Sequence, residues 1–248
     1  MKYICASTLS EQRLDLFKNE CKTYDQLNLH FSGEQLGHLR KQIVDSRVSI
    51  HDVLIGYVIV TLNTWCYSND DELILCNNIL INCRDGSNSN LVGNYTMRMW
   101  SNNFTDPYSL SNVAKSIRDS IIRARDPEFV EHWLSTGNAL IKDMIHHNRT
   151  IIWARCPNGI VVNSNYRYDW ASLVDFGHRN KCRFYTYWSK NLFVRIFRLN
   201  PKYDDASGCI TRDCQGAEVS FRIEKNIKQK FVDAFQRDVN TNFQNVKF

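Results

Sequence analysis

The chain has 248 residues, 43% of them hydrophobic and 12% aromatic, so it can bury a sizeable core in one large domain or two small ones. Its formal net charge is +5, and its lysines and arginines are spread along the whole chain. A dedicated nucleic-acid-binding protein more often gathers these residues on one face, so we expect no nucleic-acid partner. Because no run of about 18 apolar residues occurs, we also expect no membrane partner.

The nine cysteines indicate a reducing compartment. Their number is odd and they are scattered, without a Cys-x-x-Cys pair. The closest pair, Cys209 and Cys214, has no histidine cluster beside it, so we expect neither a disulfide framework nor a metal site. The N-terminus lacks the apolar stretch of a signal peptide, and we therefore predict a cytoplasmic protein.

The first part of the chain is predicted to contain two helices after a polar lead-in at residues 1–30. Residues 34–44 carry apolar side chains at helical spacing. Ser49 and Asp52 then have the spacing of a capping box, in which the Ser49 hydroxyl accepts from the Asp52 amide and the Asp52 carboxylate reaches back. The helix that follows is predicted to be largely buried, with inward residues Val53, Leu54, Tyr57, Val58, Thr61, Leu62 and Trp65.

The middle of the chain is predicted to form one strand and two further helices. Residues 72–83 are rich in leucine and isoleucine and predict the strand, and a polar loop follows at residues 85–90. Asp106 and Pro107 predict a helix that has Asp106 as its N-cap and ends near residue 125. Pro127 begins a second helix, which is predicted to reach residue 146.

The last hundred residues are dominated by predicted strands and close with a helix. Residues 217–224 alternate cleanly between apolar and polar side chains, and the following helix turns Ile227, Phe231, Ala234, Phe235 and Val239 inward. The remaining strands are predicted at residues 150–156, 160–163, 183–189 and 192–199, with turns at 157–159 and 190–191. This order of elements predicts an α+β fold with a mixed sheet covered by helices.

The sequence offers no general base at a recognisable spacing. None of the seven histidines has an aspartate four residues later. His146 and His147 end a predicted helix, where polar or cationic side chains cap the last carbonyls, so we interpret this pair as a cap. There is no Gly-x-Ser-x-Gly elbow, Walker loop or dinucleotide-binding motif. The sequence does not exclude a catalytic triad assembled from distant residues. One hypothesis is therefore that the chain is an α+β enzyme that uses such a triad.

One segment resembles a known family signature. The residues Asp175, Phe176 and Gly177 are similar to the Asp-Phe-Gly-Trp-Gly motif of the BAHD family, the CoA-dependent acyltransferases. Upstream, Asn163-Ser164-Asn165 followed by Arg167 resembles the short strand before that motif. His178 and Arg179 stand where the family usually has Trp and Gly, and Asn165 stands near a usual Trp, so the packing around the motif is expected to be altered.

Three further pieces follow the order of the same family. Residues 31–40 and 49–54 are similar to the helices that follow its interdomain crossover. Residues 81–85, which contain Arg84, with Gly93-Asn94 resemble the strand and loop that come next. Residues 217–221 and the helix after them resemble the closing strand and helix of the family.

The resemblance implies a single lobe of the CoA-dependent acyltransferase fold, which is similar to that of chloramphenicol acetyltransferase. Residues 31–248 would be a C-terminal acyltransferase-like domain, and residues 1–30 a remnant of the crossover. In the family, a histidine of the His-x-x-x-Asp motif in the other domain deprotonates a hydroxyl or amine acceptor, which attacks the thioester of acyl-CoA. Since this chain lacks that motif, the resemblance implies no catalytic residue here. Acyl-CoA would be a co-substrate, and no bound cofactor is expected.

The resemblance also implies roles for particular residues. Asp175 would pair with Arg84 and fix a loop to the sheet, with Phe176 and Gly177 as the rest of this structural signature. A solvated Asp175 in a turn is the alternative. Asn163, Ser164 and Asn165 would lie nearest the acceptor pocket, although hydrogen bonds at a strand end explain these polar residues equally well.

Two functional hypotheses follow for this chain. In the first, it is a C-terminal fragment that is inactive alone and acts only with a histidine-bearing N-terminal domain supplied by another chain. In the second, it is a non-catalytic binding or protein-interaction module that retains the fold. A domain built to face a sister domain would expose an apolar surface when it is alone.

Overall fold

The computed structural model describes residues 22–82, 96–149, 158–173, 191–203, 207 and 209–241. The chain divides into two compact units. The first unit comprises Met1–Gly33 and Asn165–Phe248, and the second comprises Glu34–Ser164. The segments that we predicted as strands at residues 150–156 and 183–189 lie outside the described residues.

The described elements form an α+β fold, as predicted from their order along the chain. The strands are β1 (Tyr24–Phe31), β2 (Cys76–Asn82), β3 (Thr96–Trp100), β4 (Gly159–Ser164), β5 (Phe193–Arg198), β6 (Lys202–Tyr203), β7 (Ile210–Thr211) and β8 (Ala217–Glu224). The α-helices are α1 (Gly33–Lys41), α2 (Ile50–Thr61), α3 (Leu110–Arg123), α4 (Pro127–His146), α5 (Trp170–Leu173) and α6 (Lys225–Thr241). Six strands belong to a mixed sheet, and β6 and β7 pair separately.

In the first unit, β8 lies between β1 and β5 and is antiparallel to both. Leu27 of β1 stands opposite Phe221 of β8, so the apolar side chains of neighbouring strands share one face. Helix α6 covers this face. Phe231 of α6 packs edge-on against Phe221, and Phe235 packs edge-on against Phe31. These contacts confirm the predicted strand at residues 217–224 and the inward face of the closing helix.

In the second unit, β2 pairs with β3 on one side and with β4 on the other. The β3 pairing is antiparallel and sets Ile79 opposite Met99, whereas the β4 pairing is parallel and sets Ile79 opposite Val162. A parallel strand is usually buried on both faces, and β2 and β4 accordingly consist largely of buried residues. The predicted strand at residues 72–83 is therefore present but shorter, because Asp70–Glu72 forms a turn of 3₁₀ helix.

Helix α2 is the buried helix that the apolar spacing predicted, except that Trp65, which we placed on the inward face, lies beyond Thr61 and is 48% exposed. The capping box of Ser49 and Asp52 is present at its N-terminus, and a π-helical turn at Leu62–Cys66 continues the helix to its end. Helix α3 packs closely against α2 at Gly56, where an added Cβ atom would lie 3.1 Å from Leu110. The small residue thus permits the close approach of the two helices.

Two further expectations from the sequence differ from the structure. Residues 24–31, most of which we assigned to the lead-in, form β1. Asp106 is not a helix N-cap; its carboxylate accepts from the Tyr108 N–H, and the helix begins three residues later than Pro107, with Ser109 as its N-cap. In contrast, Pro127 is the first residue of α4, as predicted, and Asp126 caps that helix. Among the described residues, no helix is both long and apolar enough to cross a bilayer.

Candidate functional site

The site residues proposed from the sequence fall into two groups. Arg84, Asp175, Phe176 and Gly177 lie outside the described residues, so their pairing remains a prediction. Asn163, Ser164 and Asn165 are described, and they lie together where β4 ends.

The three residues belong to two different units. Asn163 and Ser164 are the last two residues of β4, and both are partly exposed, in contrast to the buried residues before them. In the first unit, the Asn165 N–H donates to the Ile196 carbonyl at 2.8 Å, and the Asn165 carbonyl accepts from the Tyr168 N–H at 2.9 Å. Main-chain hydrogen bonds therefore hold Asn165, one of the three residues that the resemblance associates with an acceptor pocket.

An ion pair braces the segment that follows β4. The two oxygens of the Asp169 carboxylate accept hydrogen bonds from the Arg212 guanidinium at 2.6 and 3.0 Å, a bidentate arrangement. Asp169 also accepts from the Ser172 hydroxyl at 2.7 Å, and the Arg212 Nε donates to the Leu199 carbonyl at 2.9 Å. Chiefly because of the hydrogen bonds from Arg212, the pKa of Asp169 is lowered to about 2.

Tyr166, three residues before Asp169, anchors the same segment. The Tyr166 hydroxyl donates to the Gln215 carbonyl at 2.6 Å. Arg198 donates from its Nε to the Tyr166 carbonyl at 3.0 Å and lies over the ring, 5.7 Å from its centroid. Burial raises the pKa of Tyr166, so this phenol stays neutral and serves as an anchor rather than as a base.

A second polar cluster lies at the N-terminus of α2. Asp52 is fully buried there, and one of its carboxylate oxygens accepts from the Ser49 N–H at 2.7 Å and from the Arg118 Nε at 2.7 Å. The Arg118 Nη2 also donates to the Ser49 hydroxyl at 2.6 Å. Burial lowers the pKa of the neighbouring His51, and its Nδ1 has no hydrogen-bond partner among the described residues. The cluster therefore connects α2 to α3 and contains a histidine that favours its neutral form.

The second unit also carries an open polar cleft of about 460 Å³. Its walls consist of amides, hydroxyls and charged groups: Asn102, Asn103, Thr105, Asn112, Lys115, Ser116, Asp119, Ser120 and Arg123. The charges are largely engaged, since Asp119 pairs with Arg47 and Arg123 donates to Asn102 and to the Trp100 carbonyl. Within the described part of the chain, no histidine lines the cleft, so it can form hydrogen bonds to a polar ligand but supplies no imidazole base.

The histidine pair at the end of α4 is the helix cap that its position predicted. His146 is the last helical residue, and His147 is the C-cap residue. The His147 Nδ1 lies 2.9 Å from the Asp143 carbonyl and 3.0 Å from one of its carboxylate oxygens, on an exposed surface. These contacts explain the pair without a catalytic role.

The sequence did not reveal the residues that brace the segment after β4. Asp169 and Arg212 are 43 positions apart, and Tyr166 and Gln215 are 49 positions apart. No local spacing connects such pairs, because only the folded chain brings them together. The only sequence signal was the density of arginine and aromatic residues in the last third of the chain.

No family model and no curated protein matches this chain, but several solved structures match it. The chain is similar to vinorine synthase at 16% identity and a TM-score of 0.56, covering 86% of this chain and 48% of that one. It is also similar to TRI101 of F. graminearum complexed with ethyl coenzyme A, at 12% identity and a TM-score of 0.57, covering 88% and 48% of the two chains. TRI101 of F. sporotrichioides, complexed with coenzyme A and T-2, matches at 11% identity and a TM-score of 0.56, with 85% and 49% covered.

At these identities the likeness establishes the fold. The chain has the α+β lobe of the CoA-dependent acyltransferase fold, with its mixed six-stranded sheet and covering helices. It spans about half the length of the solved structures that it matches.

Proposed function

We propose that this chain takes part in the transfer of an acyl group from acyl-CoA to a hydroxyl or amine acceptor, as the lobe that does not carry the catalytic base. One observation carries this proposal. The fold of this chain matches about half the length of TRI101, which was crystallised with coenzyme A or ethyl coenzyme A. This chain has no His-x-x-x-Asp sequence, as we would expect of the C-terminal lobe of such an acyltransferase, which does not carry the catalytic base.

In this proposal the acceptor hydroxyl or amine loses its proton to an imidazole on an N-terminal lobe supplied in trans. The acceptor then forms a bond to the thioester carbonyl carbon, and the carbon–sulfur bond breaks to release CoA, whose sulfur takes up the proton. Residues 31–248 correspond to the C-terminal lobe, and residues 1–30 to the remnant of the crossover, in a cytoplasmic protein. The family name that best describes such a chain is BAHD-like.

The residues of this chain would position the reactants. Asn163, Ser164 and Asn165 would form part of the wall near the acceptor. Within the first unit, the Asp169–Arg212 pair would hold the segment that follows Asn165. Arg84 and Asp175 would fix the neighbouring signature loop, with Phe176 and Gly177. A group that holds its geometry before the reaction lowers the entropic cost of bringing the reactants together.

Thermal unfolding of the full chain with increasing CoA tests the proposal. A ligand that binds only the folded state raises the midpoint temperature in a concentration-dependent manner. We expect CoA and acetyl-CoA to raise the midpoint and AMP at the same concentration to raise it less. We also expect the acetyl-CoA thioester to remain intact in the presence of the chain alone. An unchanged midpoint at millimolar CoA contradicts the proposal, and steady acyl transfer by the chain alone contradicts the absence of a base.

A further inference from the structure

Helix α4 is long and yet contains no buried residue. It runs over 20 residues from Pro127 to His146. Five of its large apolar side chains are between 37% and 73% exposed: Trp133, Leu134, Leu140, Ile141 and Ile145. Isolated helices of this length are marginal in water, and most helical stability comes from the packing of an apolar face. Such a face on a folded chain marks an interaction surface.

The apolar residues of α4 form one stripe with a glycine at its centre. At 100° per residue, eight apolar side chains lie within about 80° of the direction of Gly137. These residues, the α4 stripe, are Phe129, Val130, Trp133, Leu134, Leu140, Ile141, Met144 and Ile145. Nothing in the structure lies within 4 Å of a Cβ atom added at Gly137. Glycine costs about 1 kcal/mol relative to alanine inside a helix, and no contact within the described chain requires it here.

Two charges of opposite sign lie beside the stripe at nearly equal distances from this glycine. Glu131 lies six residues before Gly137, and Lys142 lies five residues after it. Because eleven residues turn the helix by about 20° beyond three full turns, the two side chains lie on the same flank of the stripe. Neither has an ion-pair partner among the described residues, whereas Asp143 is paired with His147 and Arg149.

We propose that the α4 stripe binds the α4 stripe of a second copy of this chain, with the two helices antiparallel and crossing at Gly137. The two-fold axis of such a pair reverses the helix direction and places the same flank of both helices on the same side of the interface. Glu131 of each copy therefore lies opposite Lys142 of the other. The glycine lets the two backbones approach closely at the crossing, which accounts for its place at the centre of the stripe. This inference is independent of the proposed function.

Sedimentation velocity of the full chain over a range of concentrations tests the proposal. One helix per copy makes a small interface, so we expect a reversible monomer–dimer equilibrium with a Kd on the order of 10–100 μM. Ile141→Glu should weaken dimerisation at least tenfold. Ile122→Glu is the matched control, because Ile122 is an isoleucine of similar exposure on α3, at 46% against 49% for Ile141. It should leave the equilibrium unchanged.

Two further variants distinguish the antiparallel pair from unspecific association. Glu131→Lys and Lys142→Glu should each weaken the dimer, and the double variant should restore it, since the swapped charges again meet with opposite signs. Gly137→Leu should weaken the dimer by separating the helices, while the urea midpoint of the monomer stays the same or rises. No residue of α4 is buried, so these variants should fold.

Three results would contradict the proposed dimer. A chain that remains monomeric at about 300 μM overturns the proposal, whichever other molecule covers α4. Equal effects of Ile141→Glu and Ile122→Glu overturn it as well. A double charge variant that associates no better than the single variants overturns the antiparallel arrangement.

Discussion

The Arg118 guanidinium donates two hydrogen bonds to a single oxygen of the Asp52 carboxylate, and this carboxylate is fully buried. The pair joins the N-terminus of α2 to the middle of α3, and the two residues are 66 positions apart in the sequence. The other oxygen of Asp52 is buried without a hydrogen-bond partner among the described residues, so Arg118 is the main compensation for the buried charge.

Arg118→Met should therefore destabilise the fold strongly. Breaking a buried ion pair by removing one partner leaves an uncompensated charge and costs about 3–5 kcal/mol. Urea denaturation followed by circular dichroism measures the change. Arg47→Met is the matched control, because Arg47 pairs with Asp45 and Asp119 at a solvent-exposed position. If both variants lowered the free energy of unfolding equally, the importance of the buried pair would be disproved.

A substitution at Gly216 tests the packing of the first unit. A Cβ atom added at Gly216 would lie 2.8 Å from the Phe31 carbonyl oxygen and closer still to the Leu199 side chain. We expect Gly216→Ala to lower the free energy of unfolding by about 1–3 kcal/mol through overpacking. Gly37→Ala is the control: nothing lies within 4 Å of its added Cβ, so it should raise the free energy of unfolding by about 0.5–1 kcal/mol. Effects of the same sign in the two variants would contradict this account.

The pH dependence of stability should reveal the pair that braces the segment after β4. Arg212 lowers the pKa of Asp169 to about 2 from an ordinary value of 3.8. A carboxyl group whose pKa is lowered on folding contributes stability that is complete above its unfolded pKa and is lost as the pH falls toward its folded pKa. Asp169→Asn should thus destabilise the chain at pH 6, and its difference from the wild type should shrink between about pH 4 and pH 2.

Urea denaturation of both proteins at several pH values measures that difference. The control is Asp143→Asn, which changes a carboxylate at the exposed end of α4. It should leave the stability of the first unit unchanged at each pH. A difference between Asp169→Asn and the wild type that stays constant from pH 6 to pH 2.5 would show that the Asp169–Arg212 pair is not what stabilises this segment.

A buried asparagine takes the place of main-chain hydrogen bonds in the second unit. The Asn63 side chain accepts from the Ile74 N–H at 2.8 Å and donates to the carbonyls of Ile74 and Pro107 at 3.0 Å each. Asn63→Ala would leave these buried main-chain groups unpaired, so we expect a loss of about 1–3 kcal/mol in the free energy of unfolding. Asn138→Ala, on the exposed helix α4, is the control and should have little effect. An Asn63→Ala variant as stable as this control would contradict the prediction.

Local sequence patterns predicted most of the elements that carry their own signals. Pro127 indicated the start of α4, and the capping box and apolar spacing after Ser49 indicated the buried helix α2. The start of α3 was misplaced because Asp106-Pro107 has the same local chemistry as a helix start but forms a turn, and Ser109 takes the capping position. Turns and caps use the same side-chain hydrogen bonds, so local sequence alone does not separate them.

Features that depend on distant partners could not be read from the sequence. β1 contains only three buried residues, Leu27, Leu29 and Phe31, and its partner strand β8 lies about 190 residues later. The bracing of the segment after β4 by Asp169 and Arg212 likewise requires the folded chain. For the candidate site, the resemblance pointed to polar residues around the end of β4, and their role stays a prediction, but no pattern revealed how the following segment is held.

Saturation-transfer NMR on acetyl-CoA mixed with the full chain tests the central claim most directly, because one sample reports both binding and turnover. If the chain is a CoA-binding lobe without a base, saturation of the protein should pass to the pantetheine and acetyl protons. The acetyl signal should then stay constant for hours. The absence of saturation transfer to any acetyl-CoA proton at millimolar concentration would contradict the claim that this chain is half of an acyl-CoA-dependent acyltransferase.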